Sequence, residues 1–191
     1  MFFSQRHRET PAAFSSADFD DIYLDTCSLM EQDFRVWLRR QLPDLLKMNK
    51  KLIIPYPVAQ ELAYLAQGVT SNCCQEASQA KDLVQKLVQT GVADLSGDRS
   101  VSQQADLYLV KTASAQRFHR RIAVITQDRQ LTEDLNLLNQ IGRANPIRTY
   151  KLEQGTLVST GKARQSRGES VPCLPPMPVC NAAQVYKQLG L

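Results

Sequence analysis

Four acidic residues occupy comparable places in the sequence, each near the end of a predicted strand or in about the first turn of the helix that follows it. Asp25 closes the apolar stretch "IYLD", and Asp128 follows the apolar run "IAVIT" by two residues. Glu61 and Asp106 each fall in about the first turn of a helix that follows a predicted strand. In a parallel sheet these places lie along one edge, where ligands of such folds bind. The sequence therefore predicts that four carboxylates meet at one site.

Four carboxylates at one edge would repel one another unless a cation neutralised them. Oxygen ligands suit hard divalent ions such as Mg²⁺ or Mn²⁺, and these ions support the hydrolysis of phosphodiester bonds. Each acid alone also has a simpler explanation, as a turn residue, a cap, a partner of a helix dipole or an exposed side chain. The hypothesis rests on the set, because no local pattern produces its intervals of 36, 45 and 22 residues.

The elements that would position these acids alternate along the chain. Predicted strands cover 21–25, 51–55, 92–96, 122–126 and 146–150, and predicted helices cover 29–41, 57–67, 72–90, 102–119 and 132–142. Pro43 is expected to interrupt the first helix, and Thr132 is expected to cap the last one. This alternation predicts an α/β three-layer sandwich, with a central parallel sheet of about five strands and helices on both faces.

The segments outside this alternation differ from it in composition. Residues 1–19 are predicted to form a flexible N-terminal arm, residues 20–150 the α/β domain, and residues 151–191 a basic, proline-rich C-terminal tail. The tail is expected to be extended, packed on the domain or on a partner, with a last helical turn or two near its end. Its Cys173 and Cys180 could pair or bind a metal, although reduced thiols are the expected state of all five cysteines.

Composition and charge restrict the class of protein. Of the 191 residues, 43% are hydrophobic and 22% are charged, as in ordinary soluble globular proteins. No apolar run is long enough to span a bilayer, and the N-terminal stretch lacks the apolar core of a secretory signal. A cytoplasmic location without membrane association is therefore expected. The net charge of +4 and the pI of about 8.8 permit an anionic partner such as nucleic acid.

Short motifs around the four acids occur in the order found in one nuclease family. They are Asp25-Thr26-Cys27 at the end of a strand, "VAQEL" with Glu61, "QADLYLVKTASA" with Asp106, and "VITQDRQL" with Thr126 and Asp128. In this order and strand–helix context, residues 21–150 resemble the PIN-domain nucleases. Cys27 departs from that family, which usually has Asn or Ser at this position.

The resemblance implies a PIN-like fold and a Mg²⁺- or Mn²⁺-dependent endoribonuclease. Asp25 and Asp128 would be the direct metal ligands. Glu61 and Asp106 would complete the acidic pocket, directly or through water. Thr126 would hydrogen-bond a ligand or a water on the metal. The expected substrate is RNA, with single-stranded DNA as the alternative, and the expected partners are an antitoxin, an RNA-processing factor or a second copy of the chain.

Basic residues near the predicted site are candidates for binding the nucleic-acid backbone. The candidates are Arg129, beside the acid at position 128, and Lys162, Arg164 and Arg167 in the stretch "GKARQSRG". The basic stretch "RFHRR" at 117–121 ends the helix that begins near Asp106. The length of that helix, roughly 16 Å, places this stretch at the opposite edge of the sheet, where its cations would complement the helix C-terminus.

Two alternatives to an active ribonuclease stay open. One is a catalytically inactive PIN-like module that binds RNA or supports assembly, and the other is a structure-selective DNA nuclease.

The sequence does not support two other classes of protein with this type of fold, phosphatases and nucleotide-binding proteins. A phosphatase of the haloacid-dehalogenase type would need a second aspartate two residues after Asp25, where the chain has Cys27. The glycine-rich loops that hold nucleotide phosphates are not found in the sequence.

Overall fold

The computed structural model describes residues 14–68, 73–99, 104–160 and 182–191. Its strands are β1 (Asp21–Leu24), β2 (Leu52–Pro55), β3 (Ala93–Ser96), β4 (Ile122–Ile125), β5 (Arg148–Glu153) and β6 (Thr156–Ser159). Its α-helices are α1 (Thr26–Met30), α2 (Gln32–Lys47), α3 (Tyr56–Leu65), α4 (Cys74–Gln89), α5 (Ala105–Gln116), α6 (Arg129–Leu138) and α7 (Ala182–Leu189). Within the described ranges, none of the helices is both long and apolar enough to cross a membrane.

The described strands form one sheet in the order β3-β2-β1-β4-β5-β6. Strands β1 to β5 pair in parallel, and β6 runs antiparallel to β5. At the centre, Tyr23 of β1 is opposite Ile53 of β2 on one side and Val124 of β4 on the other. The predicted α/β fold with a central parallel sheet is confirmed, and the sheet has a sixth, antiparallel strand that was not predicted.

Two hydrophobic layers cover the two faces of the sheet, because successive side chains of a strand point to opposite faces. On β1, Ile22 and Leu24 belong to one core cluster, whereas Tyr23 belongs to the other. Helices α2, α4 and α7 contribute to the first cluster, and α5 and α6 contribute to the second. Strands β1 and β4 are buried along their whole length, so the residues that follow them are held firmly in place.

Helix α2 passes through Pro43, so the prediction that this proline interrupts the helix is wrong. Proline has no N–H for the carbonyl four residues earlier, which here belongs to Arg39. The hydroxyl of Tyr186 on α7 instead donates a hydrogen bond to this carbonyl, at 3.0 Å. The C-terminal helix therefore replaces the hydrogen bond that the proline removes.

This replacement predicts a coupling between Tyr186 and Pro43. Tyr186→Phe is expected to lower the free energy of unfolding by about 0.5–1 kcal/mol, since the Arg39 carbonyl loses its donor. In a Pro43→Ala background the backbone N–H returns, and the same substitution should cost almost nothing. Denaturant unfolding of the double-mutant cycle measures the coupling. Equal costs in the two backgrounds would contradict the replacement.

Part of the predicted N-terminal arm packs on the domain, which corrects its assignment as flexible up to residue 19. Phe14 stacks on Phe19 with ring centroids 5.6 Å apart, and it meets Trp37 and Tyr150 edge-on. Phe19 is itself buried in the first core cluster. Four aromatic rings thus fix this end of the chain against α2 and β5, while residues 1–13 lie outside the described residues.

The predicted C-terminal tail is also in part integral to the domain, since the sheet continues past residue 150 through β5 and β6. The turn between these strands contacts α2, where Arg40 donates a hydrogen bond to the Gly155 carbonyl at 3.0 Å. Gly155 has φ +67, and a Cβ there would lie 2.5 Å from Val36, so the turn requires glycine. Helix α7 buries Val185 and Leu189 in the core.

The basic segment 117–121 lies at the edge of the sheet opposite to Asp25, as predicted, but its cations bind groups of other elements and not the C-terminus of its own helix. Arg121 pairs with Asp20 at 3.0 Å, just before β1. Buried Arg117 donates to the carbonyl of Ile141 at 3.2 Å, beyond the end of α6. These cations bind acids and backbone carbonyls of the fold, far from the edge at which β1 ends.

Candidate functional site

One cleft of about 790 Å³ at the carboxyl edge of the sheet contains all four predicted acids. Asp25 directly follows β1, and Asp128 lies three residues after the end of β4. Glu61 lies on α3, which begins where β2 ends, and Asp106 is the second residue of α5. The parallel strands therefore bring together side chains that are far apart in the sequence.

Two of these acids are placed by the helices that they cap. The Asp25 carboxylate accepts a hydrogen bond from the backbone N–H of Thr26, at 2.7 Å, at the start of α1. The Asp128 carboxylate accepts one from the backbone N–H of Leu131, at 3.0 Å, at the start of α6. The prediction that Thr132 caps this helix is wrong, because the helix begins three residues earlier. Each acid thus keeps a fixed position at the positive end of a helix.

Thr126 connects the two acids that are predicted to bind metal directly. Its hydroxyl donates a hydrogen bond to Asp25 Oδ2 at 2.7 Å and accepts one from the backbone N–H of Asp128 at 2.9 Å. The Thr126 side chain is buried, at 1% exposure. Because a hydroxyl both donates and accepts, one side chain fixes the carboxylate at the end of β1 relative to the loop after β4.

Cys27 acts as a second donor to the same carboxylate. Its thiol lies 2.8 Å from Asp25 Oδ2 and donates to it. Burial, the charge of Asp25 and this hydrogen bond together raise the pKa of Cys27 to about 12, so the thiol stays protonated. The residue that departs from the family pattern therefore still provides a hydrogen-bond donor at this position.

Thr26 orients the carboxylate of Glu61. The Thr26 hydroxyl donates to Glu61 Oε2 at 2.6 Å, which connects α1 to α3. The three consecutive residues after β1 thus serve the site together: a carboxylate at 25 and donors at 26 and 27. The motif at the end of the first strand has a physical role in holding the acidic edge together.

Three acids that sequence reasoning missed also line the cleft: Glu31, Asp33 and Glu76. Glu31 lies at the junction of α1 and α2, and Asp33 lies in the first turn of α2. Glu76 lies in the first turn of α4. Each of these three acids lies at the start of a helix, which is a pattern visible in the sequence. The prediction used this pattern only for helices that come directly after a strand, and α2 and α4 do not. No Lys or Arg is among the described residues that line this cleft.

The negative charges in the cleft are close enough to affect one another, and the pKa of Asp106 shows this effect. Burial, and after it the negative charges of Asp25, Asp128, Glu61 and Asp134, together raise the pKa of Asp106 from 3.8 to about 6. The carboxylates therefore repel one another without a compensating cation. The arrangement can attract a divalent ion and offers it only oxygen atoms in its acidic part.

The carboxylates are not gathered into a finished metal cage. Within the described residues, no group of three His, Cys, Asp or Glu side chains is arranged to hold a metal ion directly. A carboxylate has two oxygens that offer about four acceptor sites. Asp25 accepts three hydrogen bonds, while one side-chain hydrogen bond each is found for Glu61 and Asp128, so these two acids that line the cleft keep most of their acceptor capacity.

The predicted nucleic-acid-binding residues are not brought to this cleft by the described structure. Arg129 is highly exposed and pairs with Glu133 at 2.8 Å, one turn further along α6. Lys162, Arg164 and Arg167 lie outside the described residues, as do Cys173 and Cys180. Their suggested contacts with a nucleic-acid backbone stay predictions.

Comparison with known proteins gives little beyond a distant structural likeness. No family model matches the chain. No curated protein matches it either. Among solved structures, the chain is similar to a domain of a functionally unknown protein from Methanocaldococcus jannaschii, with 18% sequence identity and a TM-score of 0.45. The likeness covers 80% of this chain and 98% of that one.

Proposed function

We propose that this protein is a Mg²⁺- or Mn²⁺-dependent phosphodiesterase that hydrolyses RNA. One observation carries the proposal: Asp25, Glu61, Asp106 and Asp128, from four separate strand–helix junctions, line a single cleft. A shared structural role does not explain this convergence, because the four negative charges repel one another, and this repulsion adds to the burial that raises the pKa of Asp106. A cation that they bind together gives the cluster a function.

The donor atoms fit a hard divalent ion. Asp25 and Asp128 would hold it directly, and Glu61 and Asp106 would complete the site directly or through water. When bound, such an ion supplies Lewis-acid activation of water and neutralises negative charge that develops on the phosphate. Proteins bind these ions through a few carboxylates and leave the remaining positions to water and substrate phosphates, which is why a phosphodiester is the favoured substrate.

The chain's own residues would orient the ligands and stabilise them between turnovers. Thr126 and Cys27 donate to one oxygen of Asp25, and Thr26 donates to Glu61, so neither carboxylate is free to rotate. Helix-capping bonds fix the positions of Asp25 and Asp128 as well. Orientation by such surrounding donors reduces the reorganisation needed for each reaction.

The choice of RNA comes from the resemblance to PIN-domain nucleases, and the acidic chemistry would serve DNA equally. The chemistry is tested by the ends of the products. Hydrolysis by an activated water leaves linear monophosphate ends and does not need the 2′-hydroxyl of the ribose. Attack by that hydroxyl would leave 2′,3′-cyclic phosphates. Mass spectrometry of the fragments is expected to detect linear ends, and cyclic ends would overturn the proposed mechanism.

Thr126 is expected to act as a positioning residue. Thr126→Val keeps the shape of the side chain but removes both the donor to Asp25 and the acceptor for the Asp128 N–H. Cleavage is expected to fall by about 10–100-fold, the usual cost of losing a partner of a metal ligand. Thr126→Ser keeps the hydroxyl and should retain most of the activity.

The concentration of Mn²⁺ that gives half-maximal cleavage separates this role from a merely structural one. It should rise for Thr126→Val and should stay near the wild-type value for Thr126→Ser. Equal loss of activity in both variants, with an unchanged Mn²⁺ dependence, would contradict a positioning role.

A further inference from the structure

A second groove, of about 500 Å³, opens between α3 and α5 beside the acidic cleft. Glu61 and Asp106 line both the cleft and the groove. A ligand that contacts both carboxylates can therefore occupy the cleft and the groove at the same time. The groove is therefore a continuation of the candidate site, and a chain-like substrate bound in the cleft would extend into it.

One stripe of α3 forms a wall of this groove. Pro57, Gln60, Glu61 and Tyr64 line it at positions i, i+3, i+4 and i+7, which lie on one side of a helix. The start of α5 faces this stripe with Gln104. Tyr64 is half-exposed, at 50%, although it is a large aromatic residue.

The chemistry of the groove differs from that of the cleft. Beyond the two shared carboxylates, its polar lining consists of the amides of Gln60 and Gln104 and the phenol of Tyr64. Phosphate would be repelled by Glu61 and Asp106, whereas an uncharged base would not. Amides offer both donors and acceptors to the edge of a base, and an aromatic ring offers a surface on which a base stacks.

A cation is available at the start of the same helix. The guanidinium of Arg99 lies over the ring of Tyr56, 5.6 Å from its centroid. Tyr56 is the first residue of α3 and precedes Pro57, which lines the groove. Arg99 thus adds a positive charge beside the first residue of α3, where it can attract a backbone phosphate.

We infer that the groove between α3 and α5 binds one unpaired RNA base next to the phosphate to be cleaved. The base stacks on Tyr64, and the amides of Gln60 and Gln104 hydrogen-bond its edge. The identification of RNA as the ligand rests on the proposed function. It follows that the protein prefers single-stranded RNA, because a base held in a duplex cannot enter the groove.

The test uses the full chain, a fluorescein-labelled single-stranded RNA and an abasic analogue of equal length. Fluorescence anisotropy is measured with Ca²⁺ in place of Mg²⁺, to neutralise the acidic cleft. Tyr64→Ala is expected to raise the Kd for the base-bearing RNA about tenfold, the effect of losing one stacked base. Tyr64→Phe keeps the ring and should bind like the wild type.

Phe118→Ala is the matched control. Phe118 is an aromatic residue with 60% exposure, at the opposite edge of the sheet, and its removal should not change the Kd. The abasic analogue should bind equally to the wild type and to Tyr64→Ala, because no base is present to stack. A duplex of the same sequence should bind more weakly than the single strand.

The outcomes separate this inference from the proposed function. Metal-dependent cleavage by the wild type, with an unchanged Kd for Tyr64→Ala, would overturn the base-binding groove and leave the phosphodiesterase intact. Binding that depends on Tyr64, without any cleavage, would support the groove and overturn the phosphodiesterase. An equal loss of affinity for the base-bearing and abasic strands would also overturn the groove, since the loss would not come from a base.

Discussion

Asp128→Asn is expected to reduce metal-dependent RNA cleavage by more than about a hundredfold, since losing a partner of a metal ligand already costs 10–100-fold. The folded state should be retained. The oxygen of Asp128 that caps α6 accepts from Leu131 N–H, and the amide oxygen of asparagine caps a helix as well as aspartate does. The substitution therefore removes the charge and keeps the cap. Single-turnover cleavage rates, with circular dichroism to check folding, measure the effect.

Asp94→Asn is the matched control for this experiment. It removes the same charge from an ion pair with Lys51 at the protein surface, outside the residues that line the cleft. It should leave cleavage within about twofold of the wild type, because exposed pairs contribute little to stability. Cleavage by Asp128→Asn at the wild-type rate would exclude Asp128 as a metal ligand in the reaction.

Asp106→Asn is expected to stabilise the metal-free protein at neutral pH. Burial and the neighbouring negative charges raise the pKa of Asp106 to about 6 from 3.8, so the folded protein binds this proton more tightly than the unfolded chain does. The contribution of Asp106 to the stability of the wild type should then be fully present below about pH 4 and be lost as the pH rises through 6. Asparagine does not titrate and escapes this loss.

The gain in stability from Asp106→Asn depends on how far the Asp106 side chain is exposed to solvent. Because Asp106 is only partly buried and solvent screens its charge, the gain is about 1 kcal/mol at about pH 7.5. For a chain of this length it corresponds to a rise in Tm of about 2–4 °C. Near pH 4 the difference should vanish. Differential scanning calorimetry in EDTA at both pH values measures it, and a gain of the same size at both would contradict the charge-repulsion account.

Without metal, Asp106→Asn is expected to be more stable than the wild type, and divalent metal should reverse this order. Mg²⁺ or Mn²⁺ stabilises the state that binds it, so the Tm of the wild type should rise more than that of Asp106→Asn. Asp94→Asn should respond to metal like the wild type, because its charge lies outside the cleft. An equal response of all three proteins would argue against a metal site at Asp106.

The meeting of Asp25, Glu61, Asp106 and Asp128 could be predicted because it depends on topology alone. Parallel strands end at one edge, so the order of strands and helices is sufficient to place the residues that follow them. The alternation of apolar and polar stretches revealed this order. The hydrogen bonds of Thr126 could not be predicted, since they depend on distances of a few tenths of an ångström between separate loops.

Other features required tertiary contacts that no local pattern reveals. Pro43 lies within a helix whose Leu42 and Leu45 are buried in the core, and Tyr186, more than a hundred residues away, supplies a donor for the carbonyl that the proline leaves without one. The short strand β6, with the sequence Thr-Leu-Val-Ser, pairs in the sheet although the stretch around it is polar and contains glycine on both sides. Glu31 and Asp33 reach the cleft because α1 ends after five residues and the chain turns into α2. Each of these results depends on packing, which overrides local preference.

The most direct test of the account is cleavage of a mixed panel of labelled RNA and single-stranded DNA by the purified protein, with Mg²⁺, with Mn²⁺ and with EDTA. The account predicts that RNA is cut with either metal, that EDTA stops the reaction, and that Asp25→Asn stops it as well. Cleavage that persists in EDTA, or a protein that cuts no RNA with either ion, would contradict a metal-dependent ribonuclease at this acidic edge.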